Sequence, residues 1–132
     1  MAVTVKNTTI AKLNTDQTLT ANAATSTTAG ASEVFTYTPK ASTGKVALIM
    51  QSSSTGVVPA TYSIAAGDLW AAGAITGTIG STTAAKATEV VEIETAKVLQ
   101  NDGTIAITVS PGSSLVKLKT DHAFAMYALE LL

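Results

Sequence analysis

The chain has 132 residues, a formal net charge of −1, only 13% charged and 5% aromatic residues, and no cysteine. That length builds one domain around one core, and without cysteine neither a disulfide framework nor a thiolate metal centre can form. Every basic residue is lysine; with no arginine and no basic face, direct nucleic-acid binding is not expected.

Charged residues make up about a quarter of an ordinary domain. Here alanine, threonine and serine take their place, so the surface is largely hydroxyl and methyl. Such a surface suits a protein covered by neighbours better than a free monomer that relies on charge for solubility. The start, MAVTVKNTTIAKLN, lacks a charged region followed by an apolar one, so no signal peptide is expected. No apolar run approaches the ~20 residues that span a bilayer. The expectation is a protein made and kept soluble in the cytoplasm until it assembles.

Val3 and Val5 alternate with Thr4 and Lys6 as a short strand candidate, which Thr8, Thr9, Ile10 and Leu13 extend or repeat. From Asn14 to Ser32 the composition collapses to Thr, Ala, Ser, Asn and Gly, with Leu19 the one large apolar residue. A segment this poor in core residues keeps a place only where something pins it. We read residues 1–32 as an extended arm on its own domain or on a neighbour, and 33–132 as the folded domain.

Glu33 to Thr38 alternates, with Phe35 and Tyr37 on one face, and Pro39 ends the run. Lys45 to Gln51 is apolar on both faces and β-branched enough to prefer a strand. Tyr62 and Ile64 share a face of Ala60–Ile64. Ala65-Ala66-Gly67-Asp68 is a turn, with Leu69 and Trp70 packing beyond it. Ala74 to Ile79 carries Gly77, a hint of a bulge or an edge. In Thr88 to Leu99, Val91, Ile93 and Thr95 oppose Glu92 and Glu94; a helix over Ala84 to Leu99 is the alternative, and the strand is preferred.

Asn101-Asp102-Gly103 reads as a hairpin turn into Ile105, Ile107 and Val109. After Ser110-Pro111-Gly112-Ser113 come Leu115 to Lys119 and then Ala123 to Leu132, apolar on both faces except for Glu130. Three strands in so short a stretch predict an antiparallel meander with the last strand central. The fold expected is all-β: an antiparallel β-sandwich or jelly-roll-like barrel of about eight strands with an extended N-terminal arm.

Candidate chemistry is sparse. His122, the single histidine, stands beside Asp121 as a general base and its orienting carboxylate would. No G-x-S-x-G supplies a nucleophile, and a plain turn histidine is the better reading. Glu89, Glu92 and Glu94, with Asp102, have the oxygen ligands of a cation site; Lys86 and Lys97 flank them, as on a solvated edge. The glycines form no phosphate loop. Tyr37, Tyr62 and Tyr127 fall among apolar partners and point to core, which leaves Trp70 as the candidate contact residue. No catalytic residue, no metal and no cofactor are expected, and the chain does not read as an enzyme.

The segments Ala65 to Trp70, Val90 to Leu99 and Asn101 to Val109, closed by the strand from Ala123, resemble small virion proteins of tailed bacteriophages, capsid decoration (cement) proteins in particular. The resemblance covers roughly the C-terminal two-thirds of the chain and carries no site motif. It implies a virion protein on the capsid exterior, assembled in the host bacterial cytoplasm. Its partner would be the major capsid protein, and it would be a homo-oligomer, preferably a trimer. The positions assigned to contacts are Thr15, Leu19, Thr27 and Gly30 on the arm, and Leu69 with Trp70 beside their loop. Alternatives are a tail or head-fibre component, or a carbohydrate- or surface-binding sandwich module.

Overall fold

The computed structural model describes residues 2–5, 7–9, 16, 18–41, 44–53, 58–68, 73–80 and 86–131. Within them the chain forms β1 (Ala2–Val5), β2 (Asn7–Thr9), β3 (Asn22–Ala23), β4 (Glu33–Tyr37), β5 (Lys45–Ser53), β6 (Ala60–Ile64), β7 (Ile75–Ile79), β8 (Lys86–Glu94), α1 (Thr95–Val98), β9 (Ile105–Ser110) and β10 (Ala125–Leu131). The strands make two sheets, in the orders β1-β4-β9-β6-β7 and β2-β10-β5-β8, with β3 also pairing with β10. The fold is therefore an all-β sandwich, with ten strands among the described residues where about eight were expected.

Alternation explains most of the core. Phe35 and Tyr37 of β4, Ile105, Ile107 and Val109 of β9, and Ile64 of β6 are fully buried from the first sheet. Val46, Leu48 and Met50 of β5, with Met126 and Ala128 of β10, meet them from the second. Phe35 and Phe124 pack edge to face with centroids 5.3 Å apart, which adds about 0.5–1.5 kcal/mol beyond the buried area. Gly77 lies on the edge strand β7, opposite Tyr62. A Cβ there would stand 2.6 Å from the Tyr62 hydroxyl, so glycine lets the ring lie across the strand.

The expected meander is not formed. β9 and β10 belong to different sheets, and the second sheet has β10 at its centre. Residues 115–119 are not a strand: Leu115 is 84% exposed while Leu118 is buried. The chain must cross between layers about 10 Å apart here, and turns do this. The Asp121 and His122 amides both donate to the Lys117 carbonyl, and the Lys117 amide donates to the Asp121 carboxylate at 2.7 Å. Ala123 takes the left-handed conformation (φ 44°), which lets His122 and Phe124 on either side of it both be buried. Likewise Asn101-Asp102-Gly103 forms a turn, with the Gly103 amide donating to the Gln100 carbonyl, but it joins the two sheets instead of closing a hairpin.

The segment read as an arm supplies three strands. β1 runs parallel to β4 and β2 parallel to β10, while β3 is antiparallel to β10. Asn22, Ala24 and Ser26 alternate inward. The Ala24 amide donates to the Phe124 carbonyl, the Lys119 amide to the Ser26 carbonyl and the Gly30 amide to the Val116 carbonyl.

Candidate binding face

The outward positions of the first sheet are set by the same alternation that buries its core. They are Thr4 on β1, Val34 and Thr36 on β4, Ala106, Thr108 and Ser110 on β9, Thr61 and Ser63 on β6, and Thr76 and Thr78 on β7. None is charged. Register aligns Val34, Thr108, Ser63 and Thr76 in one row across four strands, and Ser110, Thr61 and Thr78 in another. Thr4, Thr61, Thr76 and Thr78 are exposed and the others half-buried. At strand spacings of about 4.8 Å and rises of about 3.3 Å per residue, the face measures roughly 20 by 17 Å. Each hydroxyl both donates and accepts, each threonine adds a methyl, and covering the face strands no charge.

The outer face of the second sheet differs. Tyr127, Ile49 and Val90 form an apolar row across β10, β5 and β8, and Val90 is 62% exposed. Tyr127 therefore faces away from the core, contrary to expectation, and its hydroxyl donates to Gln51 Oε1 at 3.1 Å. A strand apolar on both faces cannot tell from periodicity which face is inside. Tyr37 is buried and Tyr62 packs at the margin of the core, where burial and the nearby Glu89 carboxylate hold its hydroxyl above the ordinary value.

His122 is fully buried. Its Nε2 accepts from the Gly112 amide at 3.3 Å and its Nδ1 lies 3.1 Å from Ser52 Oγ. A ring with Nε2 accepting carries its proton on Nδ1, so Nδ1 donates to Ser52 and has no lone pair to take the serine proton. Burial pushes the His122 pKa below its usual value, against a smaller upward pull from Asp121. An open cavity of about 400 Å³ lies alongside, lined by Gln51, Ser52, Ser53, Ala87 and Thr88. With Nδ1 donating, the serine beside that cavity is not activated.

The acidic positions do not converge. Glu92 pairs with Lys45 at 3.2 Å and Glu94 with Lys97 at 3.3 Å. Asp102 accepts from the Thr104 amide and hydroxyl at 3.0 and 2.6 Å, which holds its carboxyl below the usual range. Among the described residues no group of three or more His, Asp or Glu side chains is placed to hold a metal ion.

Of the contact positions, Leu19 is half-buried and Thr27 exposed. Gly30 serves the chain's own fold: its φ is 75°, and a Cβ would meet the Ser114 backbone at 2.9 Å. Thr15, Leu69 and Trp70 lie outside the described residues. The neighbouring turn is anchored by backbone bonds from Gly67 to Lys97 and from Asp68 to Leu99. Two of the segments behind the resemblance thus pack against each other.

Sequence reasoning missed two buried carboxylates. Glu33 accepts from the Thr25 and Ser26 amides and the Thr25 hydroxyl at 2.7–3.1 Å. Glu130 accepts from the Tyr37 hydroxyl and the Lys40 and Ala41 amides at 2.9–3.1 Å. Their signal was parity: each shares a strand face with core residues, Glu33 with Phe35 and Tyr37, Glu130 with Met126 and Ala128. Comparison with protein-family models, with curated proteins and with solved structures returned no match.

Proposed function

We propose that the chain is a structural virion protein that binds the outer surface of an assembled phage capsid through the outer face of its first sheet, bridging major capsid subunits and stabilising the shell. The observation that carries the reading is that broad hydroxyl and methyl face with no charged position on it. A face of roughly 20 by 17 Å is smaller than the ~800 Å² per partner of a standard interface. One contact is therefore weak, and binding gains strength where linked copies engage several repeated sites at once, as on a capsid lattice.

The test is co-sedimentation of the tagged chain with tailed-phage heads from the same genome, beside a Ser63→Lys/Thr76→Lys variant. Both positions face outward but stand opposite each other, so the variant folds with a melting temperature lowered by no more than roughly a few degrees by the facing lysines, and its binding falls at least ten-fold. Wild-type chain that stays in the supernatant, or labels tails or fibres instead of heads, overturns the reading. A carbohydrate- or surface-binding module is favoured by one observation, the outward Tyr127 bonded to Gln51 on the rim of the cavity. Glycan binding that is lost in Tyr127→Ala would establish it.

A further inference from the structure

The second sheet ends on β8, nine residues long, and no described strand pairs with its outer edge. Proteins usually blunt such an edge with charge, proline, a bulge or brevity. β8, KATEVVEIE, carries Lys86, Glu89, Glu92 and Glu94 but no proline, and it pairs with β5 over all nine residues without a break, so a partner strand must match its charges in register. Nor is its outward face polar throughout. Val90, at its midpoint, is 62% exposed and ends the apolar row that begins at Tyr127 and Ile49.

We infer that the partner of this edge is the β8 strand of a second copy, paired antiparallel about a two-fold axis at Val90. Faces must match across a continuous sheet, so the copies can slide only in steps that keep alternation in phase. With Val90 opposite Val90, all nine residues pair. The register positions of Lys86 and Glu94 fall opposite each other on both sides of the axis, and no glutamate faces a glutamate. A shift that brings Glu89 opposite Glu89 sets like charges together. The opposite shift puts Val90 against Glu92 and leaves Lys86 beyond the end of the partner strand. Length, charge and the exposed valine select one register.

The pairing joins two four-stranded paths into one eight-stranded sheet. Its apolar row runs without a break through Tyr127, Ile49 and Val90 of one copy into Val90, Ile49 and Tyr127 of the other. The axis is normal to the sheet, so both copies turn their first-sheet hydroxyl faces the same way. The unit is thus a two-fold pair instead of the trimer that the resemblance implies, and it stands whether or not the partner surface is a capsid.

The experiment is sedimentation equilibrium of the purified chain alone, with no capsid present. The expected mass is twice 13.3 kDa. Val90→Lys sets two lysines side by side at the axis and brings the mass to that of one chain, with an unchanged circular dichroism spectrum. In this register Thr88 lies opposite Glu92, so Thr88→Glu sets like charges together on both sides of the axis and weakens association about ten-fold, whereas Thr88→Lys strengthens it. Hydrogen exchange supplies a reading that needs no variant: the outward amides of β8 are protected in a pair and exchange within seconds on a free edge. A wild-type monomer or trimer, a pair unaffected by Val90→Lys, or unprotected β8 amides would each overturn the inference. Failure on capsids through Ser63→Lys/Thr76→Lys would bear only on the lattice reading.

Discussion

Burial favours a neutral imidazole over an imidazolium, and the contacts of His122 fit only the neutral ring. Nε2 accepts from the Gly112 amide, so a proton there would meet a donor. Glycine is required at 112 by its other neighbours: a Cβ would collide with Val58 and stand 2.5 Å from the Pro59 carbonyl. The folded pKa lies below the unfolded one, so His122 contributes stability above about pH 6.5 that is lost as pH falls toward the folded pKa. Urea titrations between pH 7.5 and 5 should show this as a slope of up to about 1.4 kcal/mol per pH unit. The slope should be absent in His122→Gln, and an equal slope in both proteins would assign the acid sensitivity elsewhere.

At the scale of elements, the crossing between β9 and β10 decides how the two layers meet. Its two leucines have opposite fates: Leu118 is fully buried and Leu115 is 84% exposed. Leu118→Ala should cost about 2–4 kcal/mol and Leu115→Ala no more than about 0.5 kcal/mol, measured by urea denaturation. A real strand over 115–119 would bury Leu115 or Val116 with its alternates and give a different pattern of losses. Periodicity made β4, β5 and β9 legible, because each alternates or is apolar throughout. It could not show the crossing, where Asp121 and the Lys117 carbonyl satisfy the turns locally. Residues 22–26 were obscure for another reason. They are held by backbone bonds and by Glu33, which leave no mark in a pattern of large apolar residues. The outward hydroxyl face was legible only as composition until the register arranged it.

Across the whole molecule, Glu130 ties the layers together. It belongs to β10 in the second sheet, yet it accepts from Tyr37 of β4 in the first and from the backbone at Lys40 and Ala41. Glu130→Gln should lower stability by about 1.5–3 kcal/mol, the range for hydrogen bonds to a charged group. Intrinsic fluorescence and far-UV circular dichroism should still move together in one transition. Two separated transitions would mean that the sheets unfold independently.

The place of β10 has a further consequence for synthesis. β2, β3 and β5 all pair with it, and β2 waits for residues 128–130. At about 5–20 residues per second, the roughly 120 residues between them take about 6–25 s to translate. Until β10 leaves the ribosome, the second sheet has no centre and the apolar β5 lacks one neighbour. In that interval the alanine-, threonine- and serine-rich stretch after Asn14 offers little for another nascent chain to stick to.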